Sequence, residues 1–235
     1  MLNFNEYKDK IDFELMSKIQ ELANTLYENI KRKDNITPYI VHPEAVIKLL
    51  LDAEIYNTEI LSTAYLHDVL EENSEFKYNP NKLKQYLNLF IEDEIFVTNV
   101  VDKVAYLTFY EDFYSNESKP YMKAFNMYEL INVAKTYPDI LVIKLADRLA
   151  NILDFYNHGD KFYAKKYFTR GEILFGAAYT FESDFNDQYQ LLLETENKTN
   201  KVNESIKHVF TYMWYFHNLL VKMKEIKTII SKKEK

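Results

Sequence analysis

Apolar residues recur at helical spacing along most of the chain. Over residues 6–31 they follow one another at intervals of three or four positions, with charged residues between them: Ile11, Leu15, Ile19, Leu22 and Leu26. This period is typical of an amphipathic helix. The same pattern predicts a helix that starts after His42-Pro43, and further helices over residues 57–72, 82–89, 92–107, 121–136, 139–155, 160–184 and 203–231.

Residues that break helices are scarce. Three Gly and five Pro among 235 residues are too few for a sheet-rich fold with many tight turns, and they suit long helices joined by short loops. Only the stretch from Ile91 to Tyr106 is ambiguous between a helix and a buried strand. Because no stretch resembles a linker, we expect an all-α fold. The whole chain, residues 1–235, would form one helical bundle with a long C-terminal helix.

Composition and charge narrow the classes of function. The formal net charge of −7 argues against a nucleic-acid binder, which would carry a basic face, but it does not exclude a small anionic substrate. With no Cys, the chain has neither disulfides nor a thiolate nucleophile. The charged N-terminus is unlike a signal peptide, and no apolar run approaches the roughly 18 residues that span a bilayer. We therefore expect a cytoplasmic protein that contacts neither nucleic acid nor membrane.

The pair His67-Asp68 lies in a segment that is otherwise apolar. An ionised carboxylate in such surroundings is costly unless it is paired or binds a metal ion. Glu71 and Glu72 follow one helical turn later, so three acids fall within five residues. Because these acids repel one another, the pattern favours a divalent cation. Glu71 or Glu72 would then take the proton of an attacking water or position that water.

A similar pattern surrounds Asp147, which has apolar neighbours and Asn151 one turn on. His42 supplies a second imidazole at the start of a helix. The predicted metal ligands are therefore His42, His67, Asp68 and Asp147, a mixed nitrogen and oxygen set that suits Mn, Fe or Zn more than Ca. Lys144 and Arg148 are also one turn apart and can face an anion.

Each feature by itself has a simpler interpretation. A lone His-Asp pair is often a helix cap or a surface pair, His42 can be a packing residue, and Asp147-Arg148 can be a surface ion pair of little energetic weight. The combination favours a metal site. The remaining histidines have no acidic cluster at ligand spacing, so we interpret them as surface or packing residues: His158, His208 and His217.

Three segments in order resemble the HD-domain superfamily, and in particular the hydrolase domain of RelA/SpoT proteins and the small alarmone hydrolases. Thr37–Pro43 contains the family's PYIVHP, Leu66–Glu72 is similar to LHDVVED, and Lys144–Asn151 is similar to KLADRLHN. The resemblance covers about residues 20–155, and the helices over 156–231 would pack on that core. It implies an all-α HD domain that uses Mn²⁺ to remove the 3′-pyrophosphate from ppGpp or pppGpp.

The resemblance also assigns roles. The family's metal ligands fall on His42, His67, Asp68 and Asp147, and its catalytic acid pair falls on Glu71 and Glu72. Its nucleotide-contacting residues fall on Arg32, Lys33 and Asn151.

The chain departs from the family pattern at three places. Glu72 stands where Asp is usual, Ala150 stands where His is usual, and an aromatic and acidic insert lies near Tyr106 to Tyr121. Two alternatives stay open: a phosphohydrolase for another nucleotide, such as an adenosine alarmone or a nucleoside phosphate, and a non-catalytic protein that senses a nucleotide. The C-terminal helix is aromatic on several faces, so a homo-oligomer also stays open.

Overall fold

The computed structural model describes residues 2–110, 119–196 and 204–231. Throughout these ranges the regular structure is helical, and the β-type pairing they contain is an isolated bridge between Lys31 and Pro38. The all-α prediction is therefore confirmed, as is the long C-terminal helix. Residues 111–118 of the predicted insert lie outside the described residues.

The chain begins with a short 3-10 helix over Phe4–Tyr7. The α-helices that follow in the described ranges are α1 (Phe13–Leu26), α2 (Val41–Asp52), α3 (Thr58–Leu66), α4 (Val69–Glu72), α5 (Pro80–Leu87), α6 (Glu94–Leu107), α7 (Lys119–Ala134), α8 (Pro138–Asn157), α9 (Lys161–Arg170), α10 (Glu172–Glu196) and α11 (Glu204–Ser231). The ambiguous stretch from Ile91 to Tyr106 thus contains helix α6 and no strand.

The first helix is shorter than the periodicity predicts. The carboxylate of Asp12 accepts a 3.0 Å hydrogen bond from the Leu15 amide, which caps α1 at its N-terminus. Beyond Tyr27 the chain cannot continue as a helix, because Asn29 adopts a left-handed backbone conformation with φ of 65°. The apolar periodicity of the sequence continues before Phe13 and after Leu26, although α1 lies only between these two residues.

Three other boundaries differ from the prediction. Helix α2 begins at Val41, before His42 and Pro43. The predicted helix over 57–72 is interrupted at His67-Asp68, which separates α3 from α4. The predicted helix over 160–184 is interrupted at Gly171, where a β-carbon would lie 2.8 Å from the Phe175 ring, so that ring would have to move to admit a larger residue.

The first compact unit comprises Met1–Asp52 and Tyr56–Lys144. Helix α3 packs against α1, α2 and α6, and α6 also contacts α4, α5 and α7. Every residue from Ile60 to Leu66 is buried, including Ser62 and Thr63. A helix that is buried on all sides must satisfy its own polar groups, and Thr63 does so by donating to the Glu59 carbonyl oxygen. Helix α3 is thus the central helix of this unit.

The second compact unit comprises Ala53–Ile55 and Leu145–Lys235. Helices α9, α10 and α11 pack on one another, and fully buried Phe216 of α11 contacts Phe181 and Phe185 of α10. Phe210 and Trp214 on α11 are exposed and stack on each other.

A single domain over 1–235 stays a prediction. Within the described ranges, no helix combines the length and the apolar content that crossing a membrane requires.

Candidate metal centre

Three of the predicted metal ligands lie together in the first unit. One nitrogen each of His42 and His67 and one carboxylate oxygen of Asp68 all lie within 4.8 Å of one another. Nε2 of His67 is 3.1 Å from Oδ2 of Asp68, and Nε2 of His42 is 3.5 Å from the same oxygen. Among the described residues, no other group of three such side chains converges in this way.

His42 is placed by an ordered loop that precedes α2. The amide of Arg32 donates to the Thr37 carbonyl oxygen at 2.8 Å, and the amide of Tyr39 donates to the Ile30 carbonyl oxygen at 3.0 Å, so the loop closes on itself. The carboxylate of Asp34 accepts hydrogen bonds from the amides of Ile36 and Thr37 inside the loop. The chain therefore enters α2 from a fixed position, and His42 is buried in the first turn of the helix.

His67 and Asp68 occupy the turn between α3 and α4. Asp68 has φ of −101° and ψ of 0°, and its carboxylate makes no capping hydrogen bond to α4. Its backbone carbonyl oxygen instead accepts from the amides of Glu71 and Glu72, at 3.0 and 2.9 Å. The interruption of the predicted helix therefore leaves the Asp68 side chain directed at the two imidazoles, with both glutamates in the next turn.

The protonation of His67 follows from its contact with α3. Its Nδ1 lies 2.8 Å from the Ala64 carbonyl oxygen. A carbonyl oxygen can only accept a hydrogen bond, so Nδ1 carries a proton. Hydrogen bonds of this type fix the tautomer and the ring orientation of histidines that bind metals through the other nitrogen.

The donor atoms fit a divalent transition metal. In neutral His67 the lone pair of Nε2 faces Oδ2 of Asp68, and two acceptors at 3.1 Å in a site where His67 is 1% exposed require a proton or a metal ion between them. Two imidazole nitrogens and a carboxylate oxygen form a set that suits Mn, Fe or Zn. His42, His67 and Asp68 are the residues that would hold the ion.

Tyr39 also belongs to this centre, although the sequence interpretation gave it no role. Its hydroxyl donates a 2.7 Å hydrogen bond to Oδ2 of Asp68, and its ring stacks on Tyr27. Burial, together with the nearby Asp68 carboxylate, raises the pKa of Tyr39 far above its usual range, so the hydroxyl keeps its proton and acts as a donor. The available signal was the position of Tyr39 one turn before His42.

Glu71 is the more enclosed of the two predicted catalytic acids. Its Oε1 accepts a 2.7 Å hydrogen bond from the amide of Phe109, just after the end of α6. Burial and the Asp68 carboxylate raise the pKa of Glu71 to about 7, against the opposing effect of the Lys144 ammonium group. A carboxyl with a pKa near neutrality is suited to take up and return a proton.

Glu72 lies closer to the protein surface. Partial burial and the Asp68 carboxylate raise the pKa of Glu72, whereas the Tyr39 hydroxyl and the charges of Lys33 and Arg32 act in the opposite direction. The Arg32 guanidinium lies over the Tyr39 ring, 5.5 Å from its centroid. The charges of Arg32 and Lys33 therefore act on the Glu72 carboxyl.

Three predicted site residues belong to the second unit. The buried carboxylate of Asp147 accepts a 2.6 Å hydrogen bond from the side-chain amide of Asn151, which also donates to the Asp147 carbonyl oxygen. Asn151 thus orients Asp147 within α8. The Arg148 guanidinium lies 4.6 Å from the centroid of the Tyr167 ring. Ala150 is buried.

The other histidines have ordinary partners. His158 contacts Asp154 one turn earlier on α8, His217 pairs with Glu182 at 2.8 Å, and the His208 ring packs against Tyr212. None of them belongs to a group of three candidate ligands in the described part of the chain.

No model of a known protein family matches the sequence, and no curated protein matches it. The resemblance to the HD-domain superfamily therefore rests on the three segments themselves. What the structure adds is the proximity of His42 to the His67-Asp68 pair, which follows 25 positions later in the sequence.

Proposed function

We propose that this protein is a metal-dependent phosphohydrolase that removes the 3′-pyrophosphate from the guanosine alarmones ppGpp and pppGpp. The observation that carries the proposal is the convergence of His42, His67 and Asp68 beside a carboxyl, Glu71, whose pKa is raised to about 7. The guanosine alarmone as substrate is taken from the resemblance at the three segments. A cytoplasmic location and a small nucleotide as partner are parts of the same proposal.

A divalent ion such as Mn²⁺ supplies Lewis-acid activation of the attacking water and of the phosphoryl group when it is bound. His42, His67 and Asp68 would hold it, and the resemblance assigns the fourth ligand to Asp147. Glu71 accepts the proton of the attacking water, and the amide of Phe109 keeps its carboxylate in place. Because Glu71 lies in the turn after Asp68, it can act on the water without being a ligand.

The substrate carries several negative charges, and the chain as a whole is acidic. A local group of cations must therefore attract and orient the phosphates. Arg32 and Lys33 are the strongest candidates, because they lie in the hydrogen-bonded loop before α2 and their charges lower the pKa of Glu72. Lys144 is a further candidate, because its ammonium charge lowers the pKa of Glu71. Arg148 and Asn151 are proposed as further substrate contacts.

A second substrate class is favoured by one observation. Glu72 stands where the family has Asp, and its carboxyl interacts electrostatically with the Arg32 and Lys33 charges that would bind phosphate. One additional methylene displaces a carboxylate by about an ångström, which is enough to alter how a substrate is positioned. The second candidate is therefore an HD phosphohydrolase that acts on another nucleotide, such as an adenosine alarmone or a nucleoside phosphate.

The test is product release from a panel of nucleotides with Mn²⁺: ppGpp, pppGpp, the adenosine analogue with a 3′-pyrophosphate, and 5′-nucleoside phosphates. We expect pyrophosphate and GDP from ppGpp, and no product after treatment with a chelator. The variant His67→Ala should be inactive, and His208→Ala is its matched control. Release from the adenosine compounds alone would favour the second candidate, and no release from any nucleotide would refute both.

Metal content tests the ligand set separately from activity. We expect one Mn²⁺ per chain, lost in His42→Ala and His67→Ala and weakened in Asp147→Asn. The variants His158→Ala and His217→Ala should bind metal as the parent does. Retention of full affinity in Asp147→Asn would remove Asp147 from the ligand set and leave the three-residue centre.

A further inference from the structure

We propose that Tyr39 is a positioning residue of the metal centre, which holds the Asp68 carboxylate in the orientation that binds the ion. This inference rests on the proposed function, because it concerns the same metal site. The observation behind it is the 2.7 Å hydrogen bond from the Tyr39 hydroxyl to Oδ2 of Asp68, the oxygen that faces both imidazoles.

Tyr39 is itself held on several sides. Its side chain is buried, and its ring stacks on Tyr27 with 5.3 Å between the centroids and 22° between the planes. The ring also meets the His42 ring edge-on, at 6.2 Å and 83°. Its amide donates to the Ile30 carbonyl oxygen. A side chain held in this way presents its hydroxyl at a fixed point.

The same residue supports two ligands. The carbonyl oxygen of Tyr39 accepts a 2.9 Å hydrogen bond from the His42 amide, and the hydroxyl contacts Asp68. His42 enters from helix α2, whereas Asp68 enters from the turn between α3 and α4. Tyr39 therefore joins the two segments of chain that bring the donor atoms together.

The hydroxyl restrains rotation of the carboxylate. Asp68 makes no capping hydrogen bond to α4, so the bond from Tyr39 is one of the contacts that determine the orientation of its side chain. Removal of a hydrogen bond to a metal-ligating carboxylate typically lowers the affinity for the metal by about 10- to 100-fold. The loss in affinity follows because a misoriented oxygen binds the ion less well.

The substitution Tyr39→Phe isolates this effect. Phe keeps the ring that stacks on Tyr27 and that lies beneath the Arg32 guanidinium, and it removes only the hydroxyl. The control is Tyr65→Phe, because Tyr65 is also buried in the first unit, and its hydroxyl accepts a 3.0 Å hydrogen bond from the Gln20 side chain. Both variants lose a buried hydroxyl, and only one of those hydroxyls contacts a proposed ligand.

The experiment is a Mn²⁺ titration of the parent and both variants by calorimetry, with thermal unfolding of each metal-free protein. We expect Tyr39→Phe to raise the Kd for Mn²⁺ by about 10- to 100-fold. Tyr65→Phe should bind as the parent does, even where its Tm falls. Substitution with Co²⁺ gives a second readout, because the visible absorption of bound Co²⁺ reports ligand geometry and should change in Tyr39→Phe alone.

Two results would overturn the inference in different ways. If Tyr39→Phe binds Mn²⁺ with the parent's affinity and gives the parent's Co²⁺ spectrum, Tyr39 has no positioning role and the metal centre stands. If the parent itself binds no divalent metal, the proposed function fails, and the role of Tyr39 fails with it.

Discussion

The amide of Phe109 donates a 2.7 Å hydrogen bond to Oε1 of Glu71, a residue 38 positions earlier in the chain. The bond connects the end of α6 to α4, which carries both predicted catalytic acids. Because the Phe109 amide holds one carboxylate oxygen of Glu71, this hydrogen bond fixes the orientation of the carboxylate. The effect of replacing Glu71 can therefore be separated from any change in its position.

We expect Glu71→Gln to lower kcat by about 10²- to 10⁴-fold, the usual contribution of a general base. The amide oxygen of Gln can still accept from Phe109, so the fold and the Mn²⁺ content should persist. The measurement is steady-state hydrolysis of ppGpp, with metal analysis of the same preparations. The exposed residue Glu75, which pairs with Lys82, provides the control Glu75→Gln. Parent rates in Glu71→Gln would rule out a proton-transfer role.

The substitution Glu72→Asp tests the main difference from the proposed HD phosphohydrolase pattern. If the site works with the family's geometry, the shorter acid should keep or improve hydrolysis of ppGpp. Glu72→Gln should lower kcat less than Glu71→Gln does, because Glu72 lies nearer the surface. The measurement is kcat and KM for both variants with the guanosine and adenosine compounds. Loss of ppGpp hydrolysis in Glu72→Asp would indicate a site adapted to the longer acid and to another substrate.

The raised pKa of Glu71 predicts a pH dependence of stability in the metal-free protein. The pKa is about 7 in the folded protein and near 4.5 in the unfolded chain. Between these values the folded protein binds more protons at Glu71, so its contribution to the free energy of unfolding falls as pH rises. Full ionisation of Glu71 lowers the free energy of unfolding by up to about 3 kcal/mol, since one pKa unit corresponds to about 1.4 kcal/mol.

We therefore expect Glu71→Gln to be more stable than the parent at pH 8, and the difference to shrink toward pH 4. Denaturant unfolding of both proteins with a chelator present, at several pH values, measures this difference. The comparison with the Gln variant cancels the contributions of the titrating groups that do not interact with Glu71. A difference that is independent of pH would show that Glu71 ionises in the folded protein as readily as in the unfolded chain.

Removal of single cations should mainly weaken substrate binding. We expect Arg32→Ala and Lys33→Ala each to raise KM by about tenfold, which corresponds to about 1.4 kcal/mol. Metal content should not change. Lys144→Ala should have a similar effect, and Arg148→Ala a smaller one, because the Arg148 guanidinium packs on Tyr167. The exposed Lys48, which pairs with Asp52, gives the control Lys48→Ala. Parent kinetics in all four variants would exclude this cation group.

The first unit contains a buried lysine that pairs with two carboxylates, and its replacement should lower the free energy of unfolding. Lys103 is 8% exposed and donates to both Glu59 and Asp139. Burial lowers the pKa of Lys103, but the two carboxylates more than offset this, and the net pKa is raised. We expect Lys103→Met to lower the free energy of unfolding by about 3–5 kcal/mol, because it leaves two carboxylates without their cation. Lys48→Met should change it by less than about 1 kcal/mol. Equal effects in urea unfolding would contradict this.

The helical class of the protein could be predicted because helical period is a local property. A residue three or four positions away is a neighbour on the same helix whatever the rest of the chain does. The residue types of the centre could be predicted for a related reason. Asp68 among Ala64, Leu66 and Val69 has an electrostatic cost that can be judged from its immediate neighbours.

The breaks in the helices could not be predicted in the same way. The apolar period continues through His67-Asp68, yet the backbone turns there, with ψ of 0° at Asp68. The periodicity indicates which side of a helix is apolar. It does not indicate at which residue the helical backbone hydrogen bonds end. The turn that directs Asp68 at the imidazoles, and the left-handed Asn29 that ends the first helix, depend on how the chain packs.

Contacts between distant segments were decided by the tertiary structure alone. Tyr39 donates to Asp68, and Phe109 donates to Glu71, because helices α2, α4 and α6 bring these groups within hydrogen-bonding distance. Hydrogen bonds require atoms to approach within about 3 Å at suitable angles, a condition that neither composition nor spacing expresses. The sequence by itself determined which candidate ligands and acids are present, and the packing of the helices decided which backbone and hydroxyl groups contact those side chains.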